Sequence, residues 1–244
     1  MIARPEIRAG RGTCGSRRPP GDAVRRVRGM TRRCLAWLVT AGIGLLCLAG
    51  CGSGTKWHAI DVSGSLPPLS FTMIRVEDGK LVSQADYRGK TVLLYFGYTN
   101  CPDVCPQTLA NLDDILTRIG PAAKDVRVLF VTVDPNRDTA PVLAAYVRNF
   151  GPEIVGLRGT PDQLATLARR YRVVYSVTPA SEGHPYEVVH SSAVYVFDGS
   201  GDARLLVASL ASTTPDLAGT AADLKRLVAQ SQPSGMRAWL RRVV

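Results

Sequence analysis

The amino-acid sequence predicts an α/β domain in which helices flank one mixed β-sheet. Apolar β-branched runs at 91–96 and 126–133 alternate with amphipathic segments, which is typical of parallel strands joined by helices. Later, the turn sequence Asp198-Gly199-Ser200-Gly201 separates two more apolar runs and predicts an antiparallel hairpin. A flavodoxin-like doubly wound sheet would need parallel strands where these hairpin signals lie, so a sheet of mixed direction is favoured.

An N-terminal hairpin is predicted at the start of this domain. Phe71 to Val76 and Leu81 to Ser83 are apolar runs separated by Glu77-Asp78-Gly79-Lys80, and Asp-Gly supplies the positive-φ position of a tight turn. Arg88-Gly89-Lys90 then breaks the chain before the strand at 91–96. The almost continuous apolar character of that strand predicts burial on both faces.

Pro106 indicates where the next helix begins. Proline is tolerated in the first turn of a helix but disrupts its interior, so the regular helix should begin between Val104 and Pro106. Apolar residues recur at helical spacing from Leu109 to Ile119, and Gly120-Pro121 ends the segment. Cys101 and Cys105 therefore lie at the N-terminal end of this helix.

The remaining elements follow from the same patterns and complete a βαβ unit joined to a ββα unit, the thioredoxin-like architecture. A polar insertion, Thr178 to Glu187, is expected before the penultimate strand. The predicted elements are a strand at Val126–Val133, a helix at Ala140–Phe150, a strand at Ile154–Leu157, a helix from Thr160 or Pro161 to Tyr171 with Thr160 as N-cap, strands at Val173–Val177, His190–Phe197 and Ala203–Ser209, and a helix at Pro215–Gln230.

The positive charge of the chain is concentrated in its first fifty residues. The formal net charge is +10, and residues 1–50 contain ten Arg against Glu6 and Asp22, which leaves 10 − 8 = +2 for residues 51–244. A nucleic-acid-binding domain needs a basic face on its folded part. A nucleic-acid partner is therefore not expected.

Residues 30–50 resemble an export signal, with Arg32 and Arg33 before a short apolar stretch. The ending Leu48-Ala49-Gly50-Cys51 resembles the bacterial lipoprotein signal, which implies acylation of Cys51. The alternative is a membrane anchor that ends in an ordinary cysteine. Both interpretations place the folded domain outside the cytoplasmic membrane, and the first anchors it to the outer face of that membrane.

This signal divides the chain into four parts. Residues 1–50 form a leader in which Met30 is expected to be the true start, so that 1–29 would not be translated. A tether is expected at 51–68, the folded domain at 69–232, and a basic tail at 233–244 that either frays or lies on an anionic membrane surface.

The cysteines are divided in the same way. Four of the six lie in the leader or at its junction, so Cys101 and Cys105 are the thiols of the exported domain. In an oxidising compartment such a pair forms a disulfide or a metal site. A helix N-terminus lowers thiol pKa values, and two thiolates suit Cu(I), whereas an added imidazole also suits Cu(II).

Three histidines could supply that imidazole. His58 lies in the tether and His184 in the polar insertion, where both are expected to be solvated. His190 is expected at the start of the penultimate strand, beside the cysteine loop, at a place where thioredoxins usually have a cis-proline. A purely structural role for His190 is the alternative.

Three motifs together resemble the Sco/SenC family over Leu69 to Gln230. They are Gly97-Tyr98-Thr99-Asn100-Cys101-Pro102-Asp103-Val104-Cys105-Pro106, Val133-Asp134-Pro135-Asn136-Arg137-Asp138-Thr139 and His190-Ser191-Ser192. The resemblance implies a membrane-anchored copper protein that helps to assemble the CuA centre of cytochrome c oxidase subunit II. It further implies Cys101, Cys105 and His190 as ligands of one copper ion per chain, as Cu(I), Cu(II) or both.

The chain departs from the family pattern at Val189, where members often have Asp directly before the ligand histidine. Such a carboxylate can orient the imidazole and tune metal affinity. Asp134 and Asp138 are expected near the site, and their alternative roles are to cap the following helix and to fix a turn.

Other functions use the same cysteine pair. An extracytoplasmic thiol–disulfide reductase or redox sensor would need Cys101 and Cys105 but could dispense with His190. A peroxiredoxin-like peroxidase is disfavoured because no Arg immediately flanks the pair, although Arg137 could approach it. The favoured interpretation is a metallochaperone and not an enzyme in the turnover sense, with other copper chaperones or thiol oxidoreductases as further partners.

Overall fold

A mixed sheet of eight strands organises the described part of the chain. The computed structural model describes residues 56–208 and 210–231, so the predicted leader, Cys51 and the basic tail lie outside the described residues. In spatial order the strands are β1 (Ile60–Asp61), β10 (Ala203–Val207), β9 (Val194–Phe197), β4 (Thr91–Gly97), β5 (Val126–Thr132), β6 (Ile154–Arg158), β2 (Thr72–Arg75) and β3 (Leu81–Ser83).

The strand directions confirm the predicted fold class. β4, β5 and β6 are parallel neighbours, whereas β9 and β10 on one side and β2 and β3 on the other pair antiparallel. The helices are α1 (Val104–Ile119), α2 (Ala140–Val147), α3 (Pro161–Arg170) and α4 (Leu217–Ser231), and 3-10 turns occupy Gln84–Tyr87 and Gly120–Asp125. α1 contacts α4, and α2 packs against β6.

The register of β4 and β5 places two loops side by side. The pair runs from Thr91 opposite Val126 to Gly97 opposite Thr132, so both strands end at the same level. Parallel strands direct the chain toward the same edge of the sheet. The loop that carries Cys101 and the loop after Thr132 therefore emerge next to each other.

Local sequence signals correctly placed both ends of α1 and the start of α3. α1 begins at Val104 with Pro106 in its first turn, and Gly120 ends it at a φ of 64° that a side chain would disfavour. In α3 the Thr160 hydroxyl accepts the Gln163 backbone N–H at 3.2 Å, while the Gln163 amide oxygen accepts the Thr160 N–H at 2.8 Å. This reciprocal capping box confirms Thr160 as the N-cap.

Two predicted strands, Val173–Val177 and His190–Phe197, exist in part but with other bounds. The structure pairs β7 (Tyr175–Thr178) with β8 (Glu187–His190) in a separate two-stranded sheet, here called the arm. Residues of β8 alternate between exposed and half-buried, whereas all four residues of β9 are buried. This alternation is typical of an antiparallel hairpin with one face packed against the protein and the other exposed to solvent. His190 therefore ends the arm and does not begin the penultimate strand of the main sheet.

Part of the predicted tether is folded against the domain. β1 pairs with β10, and the buried carboxylate of Asp223 accepts the backbone N–H groups of His58 and Ala59, each at 2.9 Å. The Trp57 ring lies 3.9 Å from the Arg226 guanidinium carbon. Within the described ranges, no helix has both the length and the apolar character that crossing a membrane requires.

Replacing Gly97 with Ala tests the packing between β4 and α1. An added Cβ would lie 2.5 Å from Cε2 of Phe130 and 2.7 Å from Sγ of Cys105. We expect Gly97→Ala to lose about 1–3 kcal/mol of unfolding free energy, as overpacked cores do, and to displace the Cys105 thiol. Urea denaturation measures the first effect, and the rate of thiol modification by a disulfide reagent measures the second.

Gly156→Ala is the matched control, because Gly156 lies on β6, two strands from β4. Its added Cβ would lie 2.7 Å from Cγ2 of Val76. It should lose similar stability while the cysteines react at the wild-type rate. Equal thiol kinetics in both variants would contradict the predicted contact between Gly97 and Cys105.

Candidate metal centre

Three predicted ligands come together from three different elements. Cys101 lies in the loop after β4, Cys105 lies in the first turn of α1, and His190 ends β8 of the arm. One ligand atom from each lies within 4.8 Å of the others. The arrangement depends on long-range folding, because His190 is far from both cysteines in the sequence.

Cys101 is placed at the mouth of α1. Its sulfur accepts the backbone N–H of Cys105 at 3.4 Å, while the N-cap residue, Asp103, makes no capping hydrogen bond with its side chain. The first N–H groups of a helix have no partner within the helix and favour negative charge. The Cys101 sulfur therefore occupies the place of a capping acceptor at this helix end.

Cys105 has a different environment one turn later. Its side chain is fully buried, and burial raises the pKa of the thiol to about 12. The expected lowering by the helix N-terminus is therefore wrong for Cys105, because loss of hydration outweighs the helix dipole. The Cys105 thiol is protonated at neutral pH, and its sulfur lies 3.2 Å from Nε2 of His190.

The orientation of His190 is fixed by a backbone carbonyl. Nδ1 lies 3.0 Å from the Ser191 oxygen, which can only accept, so Nδ1 carries the proton and Nε2 presents its lone pair to Cys105. Burial lowers the pKa of His190, which keeps the ring neutral. Val189, the residue before this histidine, is 53% exposed. The Ser191 carbonyl thus performs the orienting role expected of a carboxylate.

Three buried hydroxyl groups near Cys105 are available as hydrogen-bond donors. Those of Tyr95, Thr108 and Tyr146 are buried and, among the described residues, make no hydrogen bond of normal geometry. The pKa of Tyr95 is raised by burial first and then by the charge of a Cys105 thiolate, and the same two causes come first for Tyr146. Unpaired buried donors are costly, and a Cys105 thiolate would supply the acceptor that they lack.

Asp138 joins the two loops beneath the site. Its buried carboxylate accepts the Thr99 backbone N–H at 3.0 Å, the Thr99 hydroxyl at 2.6 Å and the Thr132 hydroxyl at 2.5 Å. Asp138 does not cap α2, whose N-cap is Thr139, so the capping alternative was wrong. Sequence reasoning missed the hydrogen bonds of Thr99 and Thr132 to this carboxylate, although Thr132 ends β5 and Thr99 lies two residues after β4.

The other predicted candidates lie apart from the three ligands. His58 is exposed, with Nδ1 3.2 Å from an Asp216 carboxylate oxygen, and His184 is exposed in the turn of the arm. Arg137 pairs with Asp134, and its guanidinium lies 5.8 Å from the centre of the Tyr98 ring. Its ionic partner is therefore a carboxylate and not a cysteine.

A cleft of about 330 Å³ opens above Cys101 and His190. Its remaining walls are mostly apolar, with Tyr98, Pro102, Val104, Val188 and Val189 among the lining residues. Two thiol sulfurs and one neutral imidazole form a soft donor set, which suits copper or zinc and not a hard cation such as magnesium. The residues present therefore fit a soft metal ion that a partner could reach through the cleft.

Comparisons with known proteins agree with this geometry. The family model described as SCO1/SenC matches residues 69–229. The mitochondrial SCO2 homolog of Mus musculus is 35% identical over 194 residues, which are 76% of each protein. That of Bos taurus is 44% identical over 125 residues, which are 50% of this chain and 47% of that protein. The match thus spans about half the length of the bovine relative.

A solved structure described as ScoI of Bradyrhizobium japonicum with copper bound is also similar. It aligns with a TM-score of 0.58 at 34% sequence identity. The alignment covers 66% of this chain and 98% of that one. The described domain thus corresponds to almost the whole of a copper-bound structure.

Replacing Asp138 with Asn tests whether this carboxylate connects the loop after β4 to the end of β5. One carboxylate oxygen is replaced by an amide nitrogen, which cannot accept a hydrogen bond from Thr99 or Thr132. We therefore expect a loss of about 1–3 kcal/mol of unfolding free energy. The loosened loop should also let Cys101 react faster with iodoacetamide. Asp114→Asn, which breaks the exposed ion pair with Arg118, is the control and should cost at most about 1 kcal/mol. Equal losses of unfolding free energy in both variants would show that Asp138 does not hold the two loops together.

Proposed function

The chain belongs to the SCO1/SenC family, and we propose that it is a copper metallochaperone. Cys101, Cys105 and His190 would bind one copper ion per chain, and its client would be the CuA centre of cytochrome c oxidase subunit II. The observation that carries the proposal is the meeting of two sulfurs and one imidazole nitrogen within 4.8 Å beneath an open cleft. Copper is the cargo of this protein and not a resident cofactor.

The surroundings of each ligand suggest how the cargo is taken up. Cys101 is half-buried at the cleft and would contact copper first. Cys105 must lose its proton, and metal binding to thiols releases protons. The hydroxyls near Cys105 would then donate to the new thiolate, and Nε2 of His190 offers its lone pair without a change of tautomer.

Delivery would use the reverse order. The exposed side of the cleft lets a partner's own ligands approach Cys101 and His190 before Cys105, so ligands exchange one at a time and copper is never free. The apolar walls of the cleft would exclude water from this exchange. Other copper chaperones could load the site by the same route.

We place this domain on the outer face of the cytoplasmic membrane. The motif Leu48-Ala49-Gly50-Cys51 supports acylation of Cys51 after cleavage of the signal at 30–50. In this proposal the lipid on Cys51 is the membrane anchor, and the chain between Cys51 and Trp57 links it to the folded domain.

A thiol–disulfide reductase is the second candidate function. It is favoured by the asymmetry of the pair, because Cys101 is half-buried at the cleft whereas Cys105 is fully buried. A Cys101 thiolate would attack a substrate disulfide and expel one thiolate. Cys105 would then resolve the mixed disulfide, so the substrate gains two electrons and the chain acquires a Cys101–Cys105 disulfide.

Copper titration tests the ligand set. The reduced protein should bind one equivalent of copper, and its Cu(II) form should show an intense thiolate-to-copper absorption band. Cys101→Ser and Cys105→Ser should abolish this band, and His190→Ala should change the electron paramagnetic resonance spectrum because a nitrogen ligand is lost. His184→Ala, an exposed histidine of the same arm, is the control. An unchanged spectrum in His190→Ala would refute the three-ligand proposal.

Complementation separates the two candidate functions. In a strain that lacks this protein, a copper carrier needs all three ligands, so His190→Ala, Cys101→Ser and Cys105→Ser should each reduce cytochrome c oxidase activity severely. A reductase needs only the thiols. Restored oxidase activity with His190→Ala but not with either serine variant would therefore favour the reductase.

A further inference from the structure

His190 is carried by an arm that does not belong to the main sheet. β7 and β8 pair only with each other among the described strands, and their residues alternate between exposed and half-buried. A two-stranded hairpin is marginally stable by itself. The position of the His190 imidazole therefore depends on contacts that hold the arm against the domain.

The first such contact is made by Tyr186, the residue directly before β8. The Tyr186 hydroxyl donates to an oxygen of Asp134 at 2.7 Å, and the Asp134 side chain has no exposed surface. The other Asp134 oxygen accepts Nε of Arg137. The Arg137 guanidinium also lies over the Tyr186 ring, 3.9 Å from its centre. Tyr186 is thus held through both its hydroxyl and its ring.

The second contact continues from Arg137 to the ligand itself. The Arg137 guanidinium lies 5.8 Å from the centre of the Tyr98 ring, and the Tyr98 hydroxyl lies 3.5 Å from the Val188 carbonyl oxygen. The Tyr98 ring meets the His190 ring edge-on, with centres 5.6 Å apart and an interplanar angle of 88°. A continuous set of contacts therefore runs from Asp134 to the imidazole.

We propose that Tyr186, Arg137 and Asp134 form a latch that holds the arm closed and so determines how often His190 is available as the third ligand. The inference rests on the proposed copper site. With the latch closed, two sulfurs and one nitrogen face the metal. With the latch open, only the two sulfurs remain, and these suit Cu(I) but hold Cu(II) poorly.

The latch residues are positioning residues, because none of them offers an atom to the metal. Their expected effect follows from the population of the closed conformation. The apparent affinity for a ligand is the intrinsic affinity multiplied by the fraction of molecules in the binding-competent conformation. Loss of groups that orient metal ligands typically costs about tenfold to a hundredfold in affinity. The latch should therefore affect Cu(II) strongly and Cu(I) weakly.

Two substitutions of Tyr186 divide the latch into its parts. Tyr186→Phe removes the hydroxyl that Asp134 accepts but keeps a ring beneath Arg137, and Tyr186→Ala removes both. Chelator competition should give Cu(II) dissociation constants about tenfold higher for Tyr186→Phe and up to about a hundredfold higher for Tyr186→Ala. The Cu(I) constants should change much less. Tyr87→Phe, a buried tyrosine in the 3-10 turn Gln84–Tyr87, is the matched control and should change neither constant.

A double variant shows whether Tyr186 acts through the imidazole. In a His190→Ala background, Tyr186→Ala should cause no further loss of Cu(II) affinity, because the group that the latch positions is already absent. Additive losses would overturn the proposal, as would equal losses of Cu(I) and Cu(II) affinity in Tyr186→Ala.

Hydrogen exchange tests the latch without copper. The backbone amides of 175–178 and 187–190 should exchange faster in metal-free Tyr186→Ala than in wild type, while those of β4 and β5 keep their rates. Unchanged exchange in the arm would refute the latch. If the wild-type protein bound no copper, the proposed function would fail, whereas this measurement would still decide whether Tyr186 holds the arm.

Discussion

A buried carboxylate, that of Asp138, is the constraint on which the candidate metal centre depends. Parallel β4 and β5 end in register, and the Val133 backbone N–H donates to the Gly97 carbonyl oxygen where the two loops begin. Asp138 accepts hydrogen bonds from Thr99 in one loop and from Thr132 at the end of the neighbouring strand. A buried charge is tolerated when it is fully hydrogen-bonded. The sheet can therefore hold Cys101 at a defined place even though Cys101 itself lies in a loop.

The two cysteines show how one helix end creates two kinds of thiol. Cys101 accepts a backbone N–H and faces a cleft, whereas Cys105 is enclosed by the core and has a pKa raised by burial. The C-x-x-x-C spacing alone does not distinguish these environments, because the helix dipole acts on both sulfurs while burial acts mainly on one. An accessible thiol and a buried thiol are thus built from the same residue type.

Elements with strong local signals could be predicted from the sequence, and those held by distant contacts could not. β4, α1 and the capping box at Thr160 follow from apolar runs, Pro106 and cap chemistry. The arm was missed because Thr178–Glu187 was interpreted as an insertion and His190–Phe197 as one strand, whereas the structure divides this part of the chain between β8 and β9. β1 has only two residues and no pattern. The structure thus brings His190 beside the two cysteines, although by another route than the predicted one.

The Ser191 carbonyl separates two effects that an anionic partner of a histidine would combine. A carboxylate at this place would orient the imidazole and also add a full negative charge to the site, which would favour a divalent ion over a monovalent one. A carbonyl oxygen gives the same orientation with only a dipole. The charge of the candidate site therefore depends on its two sulfurs alone, because the group that orients His190 adds none.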